Sequence, residues 1–449
     1  MTSQPEPQSA ETERVSDAGR SATDPRFLPL RGGIGQEDVA ALLAALRQVL
    51  GSAAAAQAVL PHAPELSGSA AVDDVRARMR VPVPAGTAVV LQTSGSTTGT
   101  GHLVALTGDA LVASARATEQ RLAGPGRWLL AVPAHHVAGL QVLVRSVVAG
   151  TEPIVVDTAA GFDPHRLAAA AARTDTATPG YLSLVPTQLV RVLAAGEEAV
   201  APLRHLAAIL VGGAAASPHV LAQARDAGLA VRTTYGMTET GGGCVYDGVP
   251  LPGVRLRIGD GERVEISGPT LALGYLDDPD SGAFAEEAGV RWLRTQDRGE
   301  LLTDEHADVR LRVLGRADEA ITTGGVTVSP TAVERVVVEH PGVAEVAVVG
   351  VADAEWGELV TAVVVPSAAR ADLTLTQLRA LVTGRLGAAH APRALVLVRE
   401  LPLRGPGKVD RRGVARVAAK ALEDPASHDG GADRGGGGRG VERHATGAS

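Results

Sequence analysis

Between residues 128 and 235, short apolar runs alternate with helical patterns, and this rhythm restricts the fold more than any other feature of the chain. Residues 128–132, 154–157, 181–185, 207–211 and 231–235 each read as a strand. Between them lie helical patterns at 164–173, at 187–193 behind Pro186, and from Ser217-Pro218 to Ala227. Serine is a favoured N-cap and proline a favoured first helical residue, so Ser217-Pro218 marks a start. Strands separated by crossover helices pair in parallel, which makes the expected core an α/β fold.

A further apolar strand at 87–91 runs into Thr93, Ser94, Gly95, Ser96, Thr97, Thr98 and Gly99, with a helix expected over 106–123. Nothing in that loop has a side chain large enough to fill a core. Its glycine backbone and hydroxyls can surround an anion, which points to triphosphate binding rather than a flexible linker. No Gly-Lys-Ser/Thr follows, so it is not a Walker-type loop. Upstream, residues 36–60 are Ala/Leu-rich and predict a helix.

After Pro250 the rhythm changes to short strands at 254–258, 263–267, 290–294, 300–303 and 309–314. Beyond Gly315 an α+β pattern follows: a helix capped by Ser329-Pro330 as far as residue 340, strands at 343–351 and 359–365, a helix at 374–386 and a strand at 394–398. The expected organisation is a disordered lead-in (1–26), a large N-terminal α/β domain with parallel sheets and a β-rich subdomain (27–314), a small mobile α+β C-terminal domain (315–422) and a disordered Gly/Asp/Arg-rich tail (423–449).

Composition narrows the function. A net charge of −8 disfavours nucleic acid as a bulk electrostatic partner. The single Cys244 excludes an intramolecular disulfide and fits a reducing compartment. The first residues lack an apolar signal-peptide core, and the most apolar stretch, 129–144, is broken by Pro133, His135 and His136 and stops at Arg145. No membrane span is expected, and the cytoplasm is the expected location. Of 42 basic residues only Lys408 and Lys420 are lysines. A lysine kept inside Arg404-Gly405-Pro406-Gly407-Lys408 therefore invites a specific task, against a solvated turn as the plain alternative.

Three other constellations carry chemistry. Tyr235-Gly236-Met237-Thr238-Glu239-Thr240 ends a strand, where open α/β sheets bind ligands. There a tyrosine can stack on a purine, a threonine can reach phosphate and a glutamate can hold Mg²⁺; an ordinary strand-to-loop turn is the alternative. Thr295-Gln296-Asp297-Arg298-Gly299 is expected in a turn, with Asp297 either holding ribose hydroxyls or bonding its own backbone. Gly315-Arg316-Ala317-Asp318 and Thr323-Gly324-Gly325 fall at the domain junction, where Arg316 either forks onto ligand oxygens or forms an interdomain ion pair.

In this order and spacing, from about residue 87 to 412, these motifs resemble the adenylate-forming superfamily of acyl- and aryl-CoA synthetases, nonribosomal adenylation domains and luciferases. Within it, Pro133-Ala134-His135-His136-Val137-Ala138-Gly139-Leu140-Gln141 and Ser183-Leu184-Val185-Pro186-Thr187-Gln188-Leu189 look like the o-succinylbenzoate–CoA ligase branch of menaquinone biosynthesis.

The resemblance implies that ATP and a small-molecule carboxylic acid give an acyl-adenylate, which coenzyme A then captures. Residues 93–99 would cradle the β- and γ-phosphates, Thr238 the α-phosphate, and Glu239 Mg²⁺. Tyr235, Gly236, Met237 and the Gly212-Gly213 turn would flank adenine, and Asp297 with Arg316 would bind ribose. Lys408 would bridge carboxylate and α-phosphate, and His136 would wall the acyl site. The small domain would pivot at Asp318, bringing Gly324-Gly325 toward the pantetheine. Arg145 either faces the acid's second carboxylate or caps a helix or pairs with Glu152. A homodimer stays open, as do three rivals: another acyl- or aryl-CoA ligase, an adenylation enzyme loading a carrier protein, and a non-catalytic nucleotide-binding protein. The loop departs from the family's Thr-Gly-x-Pro-Lys, with Gly101 and His102 in place of proline and lysine and one extra threonine. The expectation is a floppier loop.

Overall fold

The computed structural model describes residues 26–51, 56–93, 101–158, 161–175, 177–303, 309–367, 373–404 and 408–423, and the backbone of Val441–Arg443. The Ser94–Gly99 cradle, Gly405-Pro406-Gly407, and the expected disorder at 1–25, 424–440 and 444–449 lie outside these residues.

The apolar stretch at 129–144 resolves into the strand Arg127–Leu130 and the helix Val137–Ala149. Every residue from Gly139 to Ser146 on that helix is buried. It is apolar nearly all round because it is covered on both sides. One side meets a seven-stranded sheet, and the other meets the helices Gln36–Leu50 and Gly108–Arg121, which back a five-stranded sheet. One core, with Trp128, Leu111 and Leu140 fully or almost fully buried in it, runs through these layers. Among the described residues, no helix is long and apolar enough to cross a membrane.

The seven-stranded sheet runs Val249–Pro250, Gly242–Tyr246, Val231–Met237, Ala208–Val211, Gly180–Leu184, Arg127–Leu130, Ile154–Val155. From Val231–Met237 onward its pairs are parallel, as the alternation requires. The helices Pro164–Ala171, Pro186–Ala194 and Pro218–Asp226 cover the other face around Leu182, Leu189 and Ile209. Ser217 is the N-cap of the last, but its side chain makes no capping bond.

The five-stranded sheet brings corrections. The helix expected over 36–60 is Gln36–Leu50; Ala58–His62 is instead a fully buried strand, parallel to Phe27–Arg31. Gly51 ends the helix, and sheet pairing overrides the helical propensity of the residues beyond. The helix expected over 106–123 is Gly108–Arg121, preceded by the strand Leu103–Thr107. That strand returns antiparallel to Thr87–Gln92, so the Ser/Thr/Gly loop is the end of a hairpin and not a strand-to-helix turn.

A third sheet, wholly antiparallel, contains Arg255–Ile258, Arg263–Ser267, Val290–Thr303, Phe284–Glu287 and Val309–Arg316. Val290–Thr303 is one strand, so Asp297 sits within it and not in a turn. Pairing with Val309–Arg316 outweighs the turn-forming residues, and irregularities in both ladders record them: a bulge at Arg298/Gly299 on that side and a register shift between Arg294 and Arg298 against Arg263–Ser267. The strands Ile321–Thr323, Val326–Val328, Val343–Asp353, Gly357–Pro366 and Ala394–Leu397 form a fourth sheet, with the helices Pro330–Val337 and Leu375–Leu386 beside it. The backbone of Val441–Arg443 pairs with Ala394–Leu397, so this part of the tail is a strand. Leu403–Arg404 and Lys408–Val409 form a two-stranded ribbon.

Candidate active site

A cavity of about 1540 Å³ opens at the carboxyl ends of the parallel strands, bordered by Leu184, Val211, Met237 and Glu239 and reaching Arg145 and Lys408. Side chains at strand ends converge there because neighbouring parallel strands all point the same way. Gly212 follows the strand Ala208–Val211, and a Cβ on it would lie 2.1 Å from Thr234 Oγ1, so only glycine fits. Gly213, Tyr235, Gly236 and Thr238 line the same wall.

Tyr235 donates its hydroxyl to Asp297 Oδ2 at 2.8 Å. Burial and the neighbouring carboxylate hold the phenol well above its usual range, so it stays a neutral donor. Asp297 is itself raised by burial, an effect Arg316 counters. The two are cross-strand partners, with Arg316 Nη1 3.7 Å from Asp297 Oδ1. Arg316 forks onto Asp318, Nε to Oδ1 at 2.8 Å and Nη2 to Oδ2 at 2.6 Å. The arginine thus ties the carboxylate within the strand to the first residues of the smaller unit.

Lys408 projects into the cavity, and its Cε lies 3.4 Å from where a Gly213 Cβ would stand. Its ammonium makes no ion pair or hydrogen bond among the described residues. Burial, then Arg404, pushes Lys408 below the ordinary lysine value, while Glu239 and Asp297 pull it back. A buried cation with no partner is costly, and the cavity leaves room for an anion to supply one.

Glu239 is 8% exposed and lines the cavity. Its Oε1 accepts from the Tyr275 hydroxyl at 2.7 Å. No cluster of three or more metal-ligating side chains occurs among the described residues. One carboxylate facing a phosphate-sized space suits Mg²⁺, which keeps waters and shares substrate phosphates. The residues therefore fit that ion, which Glu239 could hold.

At the acyl end, His136 caps the Val137–Ala149 helix and stacks obliquely on His135 at 4.2 Å. His135 is anchored by Nδ1–H donating to the Gly32 carbonyl at 2.9 Å. Burial, His135 and Lys408 lower His136 to about 3, so it is neutral at physiological pH. Arg145 lies nine residues on, roughly 13 Å along the helix axis. It does not pair with Glu152, which binds Arg47. Its guanidinium is buried, with Nη2 donating to the Tyr246 hydroxyl at 3.2 Å, Cζ 4.7 Å from the Trp128 ring centroid, and Nε without a partner. Among the described residues no carboxylate pairs with it.

Family comparisons match this geometry. The AMP-binding enzyme model matches residues 33–276, more than half of the chain, and the AMP-binding enzyme C-terminal domain model matches 332–408. The chain belongs to the AMP-binding enzyme family. A Mycobacterium tuberculosis protein named as a probable 2-succinylbenzoate–CoA ligase is 46% identical over 378 residues, covering 84% of this chain and 95% of the relative. A medium/long-chain-fatty-acid–CoA ligase of the same species is 32% identical over 402 residues, covering 82% of this chain and 68% of the relative. Among solved structures, Bacillus subtilis o-succinylbenzoate CoA synthetase with the acyl-adenylate intermediate OSB-AMP superposes with a TM-score of 0.65 at 23% identity, covering 88% of this chain and 89% of that one. The chain is accordingly an ATP-dependent adenylate-forming ligase.

In this AMP-binding enzyme the phosphate loop is pinned where it closes. Thr93 N–H donates to the His102 carbonyl at 2.9 Å, and His102 N–H returns to Thr93 Oγ1 at 2.8 Å. Gly101 has φ +65°, and a Cβ there would lie 1.9 Å from the Thr93 carbonyl oxygen. Proline, with φ near −65°, cannot take that conformation. This end of the arm is built for glycine, while the loop expected to be floppier lies outside the described residues. Gly324 and Gly325 form a left-handed turn against Trp356, outside the cavity lining. Sequence motifs missed Tyr275 and Tyr246, which line the cavity, and Arg78 and Asp277 beneath the loop arm. The Tyr275-x-Asp277 spacing beyond a glycine was the only signal on offer.

Proposed function

We propose that this AMP-binding enzyme converts o-succinylbenzoate to o-succinylbenzoyl-CoA, a step of menaquinone biosynthesis, in the cytoplasm. The observation that carries the proposal is Arg145, a buried guanidinium facing the acyl end with no carboxylate partner. An acid with a second carboxylate would complete it; a fatty acid would bury it against hydrocarbon.

In the first half-reaction a carboxylate oxygen attacks the α-phosphorus of ATP, the Pα–O–Pβ bond breaks, and pyrophosphate leaves with the electron pair. Lys408 meets the incoming carboxylate and the α-phosphate, offsetting charge that builds as they approach. Thr238 donates to an α-phosphate oxygen, and Thr93 with Ser94–Gly99 surrounds the outgoing pyrophosphate. Mg²⁺ bound at Glu239 would neutralise phosphate charge. Tyr235 and the Gly212-Gly213 turn flank adenine, with Gly236 and Met237 beside them. Asp297, its Oδ2 fixed by Tyr235, retains lone pairs for ribose hydroxyls, with Arg316 beside it. Neutral His136 walls the acyl group and takes no proton.

In the second half-reaction the CoA sulfur attacks the acyl carbon, the acyl C–O bond breaks, AMP leaves and the thiol proton passes to solvent. This needs Lys408 withdrawn, and rotation about Asp318 would remove it while turning Gly324-Gly325 toward the pantetheine. The test is incubation with ATP, Mg²⁺, CoA and a panel of acids, followed by product mass. Formation of o-succinylbenzoyl-CoA in preference to fatty and monocarboxylic aryl thioesters supports the reading. A preferred fatty acid, transfer to a carrier protein but not CoA, or ATP binding without AMP release would each refute it.

A further inference from the structure

The geometry points to Tyr275 as a positioning residue that couples the closing arm of the phosphate loop to Glu239, an inference resting on the reading that Glu239 holds Mg²⁺. Tyr275 lies on the short strand Gly274–Tyr275, paired with Leu103–Thr107 directly after the loop. One ring face stacks on His102 at 4.3 Å and 24°, and Phe284 meets the ring at 5.5 Å in an edge contact. The hydroxyl ends on Glu239 Oε1 at 2.7 Å. A single rigid ring therefore touches both the last residue of the loop arm and the metal-binding carboxylate.

Both ends of this connection are braced by one segment. Ala272 N–H donates to the Glu239 carbonyl at 2.8 Å, which fixes the backbone that carries the carboxylate. Two residues past Tyr275, Asp277 Oδ1 accepts the Leu103 N–H at 2.8 Å, and its Oδ2 lies 3.6 Å from His102 Nδ1. Arg78, from the last turn of the helix Gly68–Arg78, bonds Asp277 Oδ2 at 3.2 Å and also grips the Gly101 carbonyl. His102 thus stands between an anchored backbone and the Tyr275 face. A carboxylate already holding a phenol proton on one oxygen presents its other oxygen in a fixed direction, the outer-shell orientation that metal sites depend on. Phenylalanine would pack at position 275 as well, so the hydroxyl is what the metal site requires.

The test reads metal affinity directly, with Mn²⁺ replacing Mg²⁺ and free Mn²⁺ followed by electron paramagnetic resonance on enzyme saturated with a non-hydrolysable ATP analogue. Tyr275→Phe should raise the Mn²⁺ half-saturation about 10–100-fold. Metal-free nucleotide affinity and the far-ultraviolet circular dichroism should not change. His102→Ala, which leaves Tyr275 in place and touches no metal, should raise it about 5-fold or more, and should add nothing in the Tyr275→Phe background. It carries the same test should Tyr275→Phe fail to fold. Glu239→Gln reports on the underlying reading. If it lowers Mn²⁺ affinity while Tyr275→Phe and His102→Ala do not, the coupling is wrong and the metal assignment survives. If Glu239→Gln changes nothing, both fall.

Discussion

Arg145→Met isolates the feature on which the substrate assignment depends. Methionine fills much of the arginine volume without its charge. In the free protein the guanidinium has the Tyr246 hydroxyl at 3.2 Å, the Trp128 face and an unsatisfied Nε. Removing it leaves one hydroxyl short of a donor and relieves a buried cation, so stability should hold or rise slightly. The substrate loses a charge-assisted bond, worth about 1.5–3 kcal/mol. That corresponds to a rise of roughly 10- to 100-fold in KM for o-succinylbenzoate. Pyrophosphate release measured against varied acid and varied ATP is the assay. KM for ATP should stay nearly fixed, and monocarboxylate analogues should lose little or gain. Equal impairment with mono- and dicarboxylates, together with a lowered melting temperature, would refute the reasoning and make Arg145 a structural residue.

Lys408→Ala should slow adenylation by roughly 10²-fold, about 3 kcal/mol, yet spare thioester formation from supplied acyl-adenylate; equal losses in both half-reactions would contradict its role. Asp318→Pro fixes φ at the pivot and removes the Arg316 fork, so rapid-quench analysis should find adenylate accumulating while CoA transfer slows. His136 predicts a pH effect. Its folded value near 3 lies below the ordinary 6.5, so the unfolded chain binds the extra proton first as pH falls. Its contribution is a loss of stability below pH 6.5, at about 1.4 kcal/mol per pH unit, that ends near the folded value. Melting temperatures of His136→Asn should therefore fall less steeply than wild type between pH 6.5 and 5, and parallel curves would remove the assignment.

The parallel sheet was legible because each strand is an apolar run bounded by a helix start, a pattern that few other arrangements satisfy. What failed was context. The end of Leu103–Thr107 merged with the following helix, and the strand went unread, because four apolar residues before a Thr107 cap can continue a helical pattern; only pairing with Thr87–Gln92 separates them. The helix Val137–Ala149 gave no amphipathic signal because both its sides are covered. Asp297 looked like a turn residue, and pairing with Arg316 on the strand Val309–Arg316 makes it part of a ladder. In the site, Lys408, Glu239, Asp297 and His136 were found through motifs, and only folding brings them together, from a two-stranded ribbon, the turn after Val231–Met237, the strand Val290–Thr303 and a helix N-terminus. The burial of Arg145 without a carboxylate partner among the described residues could not be read from sequence, since Glu152 was an equally good candidate until Arg47 claimed it. Tyr275 belongs to no motif, and its value lies in two contacts that the chain makes only after folding.

On the proposed function, two cations with no carboxylate ion pair among the described residues, half-buried Lys408 and buried Arg145, give the cavity a way to choose its acid by rejection as well as by attraction. While the cavity is open, water can solvate whatever part of Arg145 faces it. An acyl chain entering beyond His136 expels that water, leaving the guanidinium with only Tyr246 and the Trp128 face. A dicarboxylate replaces the lost water with a charge; a fatty acid replaces it with methylenes and leaves the cation unsatisfied. Such a penalty discriminates more strongly than a fitted apolar pocket, where one methylene changes binding by only about 1–3 kcal/mol. The same logic separates this chain from a relative that activates fatty acids on the same fold. The difference need not lie in Lys408, Glu239 or the phosphate loop, which handle ATP for either acid. On the proposed function, this chain's discrimination rests on Arg145, two and a half turns into a buried helix, which disfavours hydrocarbon beside it.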